Sequence, residues 1–397
     1  MTRMKTVCFC AIKISSNIFD INFTYNRICD KINIEVKYMI IKNANVLCDD
    51  FNFKKCDIRF SEKIEEIGKI EKEENSFDFE DYYVIPGLID IHTHAAVKVD
   101  AMDENVDFDK WKSFLLSKGV TTFFPSTVSA TPEEIKRAVK NLDKADGINL
   151  EGPFLSPAKK GAHVESTLCA VDLSLLSEIK DKVKITTVAP EMFDNMEKIE
   201  AITKLGIKVS LGHTTANYET SKKAFSLGAT HITHSFNAMP TFLHREPGLL
   251  GAAFENENVF CEVISDGIHL HPAVVKMIYQ AIGCDRMVMI SDSMAATGLD
   301  DGKYSLGGLD VIVKDRKATL KDGTIAGSTF TLYDCVKNAV SFGIPLTDVI
   351  KMATITPAKA VSIDDRVGSL TVSKDADIVV LDKDLNVVKV FYKGKEM

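Results

Sequence analysis

The sequence predicts an α/β fold: a (β/α)8 TIM-like barrel carrying a small β-sandwich domain formed from both chain termini. Three observations point there. Eight apolar strand candidates alternate with polar loops and helical segments between residues 84 and 291, the order of a parallel barrel. Period-two alternation, the mark of half-buried strands, is confined to the stretches on either side of that region. His92, His94, Glu151, His213, Asp266, His269 and Asp292 stand at or just after the C-terminal ends of strand candidates, with His234 late in the sixth, where barrel enzymes place their active sites.

In chain order, residues 1–38 show neither periodicity nor turn punctuation. Arg3 and Lys5 give a basic start, but Lys13 cuts the apolar stretch short and no small-x-small cleavage site follows, which disfavours a secretory signal. The pattern changes at Met39, which reads as an alternative start, and residues 1–38 are set apart as an N-terminal extension. From Met39 to about Tyr83 short strands alternate with turns, as in Cys56-Asp57-Ile58-Arg59-Phe60. The stretch after Val367 does the same, with Ala376 to Asp382 and Val387 to Phe391 as strands. These two halves are expected to pair into one β domain, 39–85 plus 356–397, around a (β/α)8 barrel of residues 86–355.

Within the barrel the strand candidates are Val84–His92, Thr121–Ser129, Gly147–Phe154, Lys184–Ala189, Lys208–His213, His231–Phe236, Phe260–Ser265 and Met287–Ser291. Helices are expected over Phe108–Ser117, Pro132–Leu142, Asp194–Leu205, Tyr218–Leu227 and Pro272–Ile282. Thr131, Pro132 and Glu134 spell a capping box with proline at the first helical position. A doubly wound sheet would call for a Gly-rich phosphate loop after the first strand, and none is present.

Composition narrows the function. The chain has 397 residues, with 48 Lys+Arg against 56 Asp+Glu, a formal charge of −8. Such a balance argues against a general nucleic-acid or anionic-membrane binder, and no uncharged apolar run approaches the ~20 residues of a membrane span. Nine cysteines without a CxxC pair read as reduced core thiols in a cytoplasmic protein.

The chemistry lies in a few residues. In His92-Thr93-His94 the imidazoles stand at i and i+2 of an extended segment, on one side, and can grip a cation. Glu151, in Leu150-Glu151-Gly152-Pro153, ends an apolar strand, where a carboxylate must find a cation or bear a penalty of several kcal/mol. His213 and His234 complete a Glu/His/His set, and three protein ligands with an open position is a catalytic metal arrangement. Asp292, after the eighth strand candidate, is expected to be the base that takes a proton from activated water and returns it to the leaving group.

Taken together, Pro86-Gly87-Leu88-Ile89-Asp90-Ile91-His92-Thr93-His94, Leu150 to Phe154, Lys160-Gly161-Ala162-His163, Leu211-Gly212-His213-Thr214, Thr233 to Pro240, Arg245-Glu246-Pro247-Gly248, Ser265-Asp266-Gly267-Ile268-His269 and Ser291-Asp292 resemble the N-acetylglucosamine-6-phosphate deacetylases of the amidohydrolase superfamily, in that family's order. The resemblance runs from Met39 to the end. It implies hydrolysis of the N-acetyl group of N-acetylglucosamine 6-phosphate in amino-sugar catabolism. Glu151, His213 and His234 would hold the main divalent cation (Zn, Fe, Mn or Co), and His92 and His94 a second ion or a water. Asp292 would move the proton. Ala162, His163, Asn237, Ala238, Arg245, Asp266, His269 and the Ile325-Ala326-Gly327 stretch would line the sugar-phosphate pocket. Arg245 would reach the active site of a neighbouring subunit, implying a homodimer. Relatives with His-x-His often continue Gly-Gly, whereas here Ala95-Ala96-Val97-Lys98 follows. The alternatives are a D-aminoacylase, a deaminase, a cyclic-amide hydrolase or a non-catalytic scaffold. Deaminases of the superfamily usually carry a His-x-x-Glu pair, absent here, and the strand starting at Lys184 does not end in the lysine that ring hydrolases use.

Overall fold

The computed structural model describes residues 38–71 and 75–397; apart from Tyr38, the extension expected over 1–38 lies outside them. Eight parallel strands form the barrel: β1 (Leu88–Thr93), β2 (Val120–Thr127), β3 (Ile148–Leu150), β4 (Val183–Val188), β5 (Lys208–Leu211), β6 (His231–Ile232), β7 (Phe260–Ile264) and β8 (Met287–Ile290), each paired with its sequence neighbour. Nearly every strand residue is buried, as in a sheet covered on both faces. No ladder joins β8 to β1. Instead the Asp292 amide donates to the His92 carbonyl at 2.9 Å, and the Ser291 hydroxyl to Asp90 at 2.5 Å.

A helix follows each strand, at Phe108–Ser117, Pro132–Asn141, Leu173–Ile179, Asn195–Lys204, Tyr218–Ser226, Gly248–Glu255, Pro272–Ile282 and Leu332–Ser341. The capping box at Thr131 and Glu134 is formed, with both reciprocal hydrogen bonds present. Beneath the barrel, helix Ile355–Ala360 packs with Val361 and Val367 against Ile89, Ile91, Ile264 and Ile290.

The expected first strand is in fact two. Tyr83–Pro86 belongs to the terminal sheet and β1 to the barrel, parted at Gly87, where a Cβ would stand 2.1 Å from the Thr121 hydroxyl. Other barrel strands stop short of their expected ends. After Leu150 the chain meets Gly152 at φ +77°, and after Ile232 it turns through His234 at +28° and Phe236 at +73°. The motif residues therefore stand on loops just past the strands.

The terminal sheet runs Lys395–Glu396, Val387–Tyr392, Ile378–Leu381, Tyr83–Pro86, Met39–Leu47, Phe53–Phe60 and Ile64–Gly68, joining both chain ends. It closes over its own core of Ile41, Ile58, Phe60, Val84, Val380 and Phe391.

One element was not anticipated. Between β8 and the last barrel helix, Gly302–Leu306, Leu309–Lys314 and Lys317–Thr319 form a three-stranded antiparallel sheet. Its apolar face (Leu306, Val311, Val313, Ala318) packs on Val128, Met294 and Ala326. Of the described cysteines, Cys261 and Cys335 are buried thiols, while Cys48, Cys56, Cys169 and Cys284 are only half-buried and free. Among the described residues no helix is long and apolar enough to cross a membrane.

Candidate active site

At the C-terminal mouth of the barrel lies a cavity of about 490 Å³, lined by His94, Glu151, His163, His213, His234 and Asp292. Glu151 is buried among five imidazoles. Its Oε1 lies 3.2 Å from His213 Nε2 and 3.1 Å from His234 Nε2, and 3.5 Å from His92 Nε2. Its Oε2 lies 3.1 Å from His94 Nε2 and 3.3 Å from His163 Nε2. Burial alone would neutralise this carboxyl, but His92 and the hydrogen-bonding His163, His213 and His234 outweigh it and hold the pKa well below the usual range.

The tautomers follow from the partners of the outer ring nitrogens. His213 Nδ1 donates to the Lys159 carbonyl at 2.7 Å, leaving Nε2 as a lone pair aimed at Glu151. Burial pushes the His213 pKa down to about 4, so the ring is neutral, as a metal ligand must be. His163 is the opposite case: its Nδ1 accepts the Ser129 amide at 3.0 Å, so its proton is on Nε2, facing the cavity. His163 is thus a donor toward the cavity, while Glu151 stands within reach of two groupings that could hold a cation, with His92 and His94 and with His163 and His213, and His234 Nε2 lies as close to it as these. With His213 and His234 Nε2 3.0 Å apart, Glu151 and these two rings are spaced to share one ion with bonds of ~2.0–2.2 Å. The donor chemistry fits a divalent cation.

His92, in β1, and His94, just after it, face the same carboxylate. Their Nε2 atoms lie 3.3 Å apart, and His94 Nε2 is 3.2 Å from Asp292 Oδ1. Burial opposes charge on His94, but Asp292 and Glu151 carry its pKa up to about 9. Burial likewise opposes charge on Asp292, and His94 and His92 hold it down at about 2. Asp292 is therefore ionised throughout the neutral range.

Several of these residues are held in left-handed backbone: His213 at φ +45°, His234 at +28°, Ala238 at +50° and Asp292 at +50°. Such conformations cost non-glycine residues on the order of 1 kcal/mol or more each, and they turn the side chains into the mouth.

The same cavity is also lined by Lys159, Lys160, Ala162, Asn237, Ala238, His269, Ile325 and Gly327, bringing together most of the expected sugar-phosphate residues. Three stand elsewhere. Asp266 does not line the cavity: it accepts the Ile268 and His269 amides, both at 2.8 Å, and His269 Nδ1 at 2.7 Å, and so fixes the His269 ring. Ala326 is fully buried in the core of the three-stranded sheet. Arg245 lies on the exposed 241–246 loop, 2.7 Å from the neighbouring His244, away from this chain's own cavity.

Sequence reasoning missed Glu262. This buried carboxylate on β7 takes His92 Nδ1 at 2.9 Å and the His234 amide at 3.2 Å, tying a histidine of β1 to the loop after β6. A lone glutamate inside Phe260-Cys261-Glu262-Val263-Ile264 was its signal. Outer partners of this kind are worth ~10–100-fold in metal affinity. Glu262→Gln is expected to weaken the cation by that factor, read by chelator competition; unchanged affinity would make Glu262 a packing residue only.

A (β/α)8 barrel with a buried glutamate ringed by histidines, and an aspartate after its last strand, defines a metal-dependent hydrolase of the barrel class. The chain belongs to the amidohydrolase family, whose model matches residues 83–397. It is 36% identical to the N-acetylglucosamine-6-phosphate deacetylase of Bacillus subtilis (strain 168), over 79% of this chain and 84% of that one. It is 31% identical to the N-acetylgalactosamine-6-phosphate deacetylase of Escherichia coli O157:H7, over 78% of this chain and 86% of that one. Among solved structures, the N-acetylglucosamine-6-phosphate deacetylase from Pasteurella multocida superposes with a TM-score of 0.87 at 28% identity, covering 91% of this chain and 100% of that one.

Proposed function

We propose that the protein hydrolyses N-acetylglucosamine 6-phosphate to glucosamine 6-phosphate and acetate, in amino-sugar catabolism or recycling. The observation that carries this reading is one cavity with an ionised Asp292 and a proton-bearing His163 beside the Glu151 cluster. The same cavity carries Lys160, Asn237 and His269, side chains suited to a phosphorylated sugar. The names of the relatives above support the same assignment.

Glu151, His213 and His234 would hold the cation, Zn, Fe, Mn or Co, with His92 and His94 available to a second. Such a cation supplies Lewis acidity, lowering the pKa of water toward neutrality and polarising the acetamide carbonyl. Asp292 takes a proton from the attacking water as its oxygen bonds to the carbonyl carbon. His163 Nε2–H donates to the carbonyl oxygen as negative charge builds there. Asp292 then passes its proton to the amine nitrogen as the C–N bond breaks, releasing acetate and the amine.

Asn237, the Ala238 backbone and His269 hold the sugar phosphate, completed by Arg245 of the partner subunit in a homodimer. The exposed Phe242 and Leu243 beside Arg245 are apolar surface suited to burial against a second copy. Arg245→Ala is expected to raise KM for the phosphosugar about tenfold or more with little change in kcat, since Arg is suited to bidentate phosphate binding. An unchanged KM would remove Arg245 from the phosphate site. A phosphorylated substrate and free thiols fit a cytoplasmic enzyme.

The test is acetate release by metal-loaded protein from N-acetylglucosamine 6-phosphate, its galacto epimer and the unphosphorylated sugar. Release from the gluco phosphosugar foremost is expected; none from it would overturn the assignment.

A further inference from the structure

The cavity is lined by the polar His94, Glu151, His163, His234 and Asp292, yet Val128 and Leu306 line it too. Val128 has a defined place. It lies two residues past Ser126, whose carbonyl takes His94 Nδ1 at 3.1 Å. It comes one residue before Ser129, which holds His163 Nδ1 through its amide at 3.0 Å and its hydroxyl at 2.9 Å. The isopropyl group therefore stands on the chain segment that fixes both the imidazole beside Asp292 and the imidazole that donates to the substrate carbonyl.

Leu306 reaches Val128 from the three-stranded sheet. The turn that follows it presses on Val128: Gly307 has φ +55°, and a Cβ there would lie 2.6 Å from Val128 Cγ2. Behind both side chains stand Met294, Ala296, Val311, Val313, Ala318 and Ala326. Val128 and Leu306 are only 5% and 3% exposed, so this wall is close-packed and has no slack to retreat.

An acyl group offers the enzyme two substituents on the carbonyl carbon. The nitrogen side leads to the sugar and so toward Asn237, Ala238 and His269. The alkyl side must lie on the opposite flank. We propose that Val128 and Leu306 form the acyl pocket, and that this backed apolar wall restricts the enzyme to acetyl and smaller acyl groups. The inference rests on the deacetylase reading and adds to it the residues that set acyl size.

One further methylene in such a pocket changes discrimination by ~10–200-fold. The test compares kcat/KM for N-formyl, N-acetyl, N-propionyl and N-butyryl glucosamine 6-phosphate in the full-length, metal-loaded protein. Wild type is expected to fall by that factor from acetyl to propionyl. Leu306→Ala and Val128→Ala are expected to bring propionyl to within about tenfold of acetyl. Val128→Leu, which fills the pocket, is expected to lose acetyl activity at least tenfold while retaining formyl activity, a result that requires an intact fold. Propionyl-to-acetyl ratios unchanged from wild type in variants that still hydrolyse the acetyl substrate would overturn the acyl pocket alone. Absence of release from every phosphosugar by wild type would overturn the deacetylase reading and take this inference with it.

Discussion

Asp292→Asn is expected to lower kcat by ~10²–10⁴-fold, the range for loss of a positioned general base, while the protein keeps its divalent cation. Asparagine matches aspartate in shape and tolerates left-handed backbone, so the φ of +50° at this position is no obstacle. The Asp292 amide still donates to the His92 carbonyl. What disappears is the carboxylate that His94 and His92 hold at about 2, and with it the proton shuttle proposed above. Metal content by elemental analysis, alongside kcat on N-acetylglucosamine 6-phosphate, checks this. Loss of the metal in step with activity would make Asp292 a ligand instead.

Glu151→Gln is expected to cost cation affinity more than the ~10–100-fold assigned to an outer partner such as Glu262. The amide removes the one negative charge on which His92, His94, His163, His213 and His234 converge. A neutral amide offers a buried cation no compensating negative charge, so the imidazoles alone hold it less tightly. Activity should fall with metal content and recover partly at high added metal. Titration of chelator-treated protein with Zn²⁺ reads the affinity directly, and a variant that binds as tightly as wild type would exclude Glu151 from the ligand set.

Much of the site was legible because its residues break an apolar text. Glu151, His213, His234 and Asp292 are polar side chains placed just after buried strands, where only a shared partner justifies their desolvation. Glu262 broke β7 in the same way, but it points to a histidine rather than into the cavity, so no motif marked it. Asp266 was expected at the substrate and instead orients His269; its position after β7 does not distinguish the two. The helix Gly248–Glu255 went unseen because it is apolar nearly all round and its N-cap residue, Pro247, makes no side-chain cap, so neither periodicity nor capping marks it. Leu173–Ile179 is only two turns long. The three-stranded sheet did carry signals, alternation in Leu309–Lys314 and Gly307-Gly308 at its first turn, but these sit where the barrel repeat calls for a helix.

The way β8 meets β1 ties catalysis to the integrity of the whole ring. His92 and Asp292 bridge that junction through their main chains while their side chains face one another at 3.6 Å. An opened barrel at this point loses the proposed proton carrier and an imidazole of the histidine cluster around Glu151 in one event. Partial unfolding and inactivation should therefore share one denaturant midpoint, with hydrogen exchange at the Asp292 amide tracking residual activity. Turnover becomes a direct gauge of whether the ring is shut.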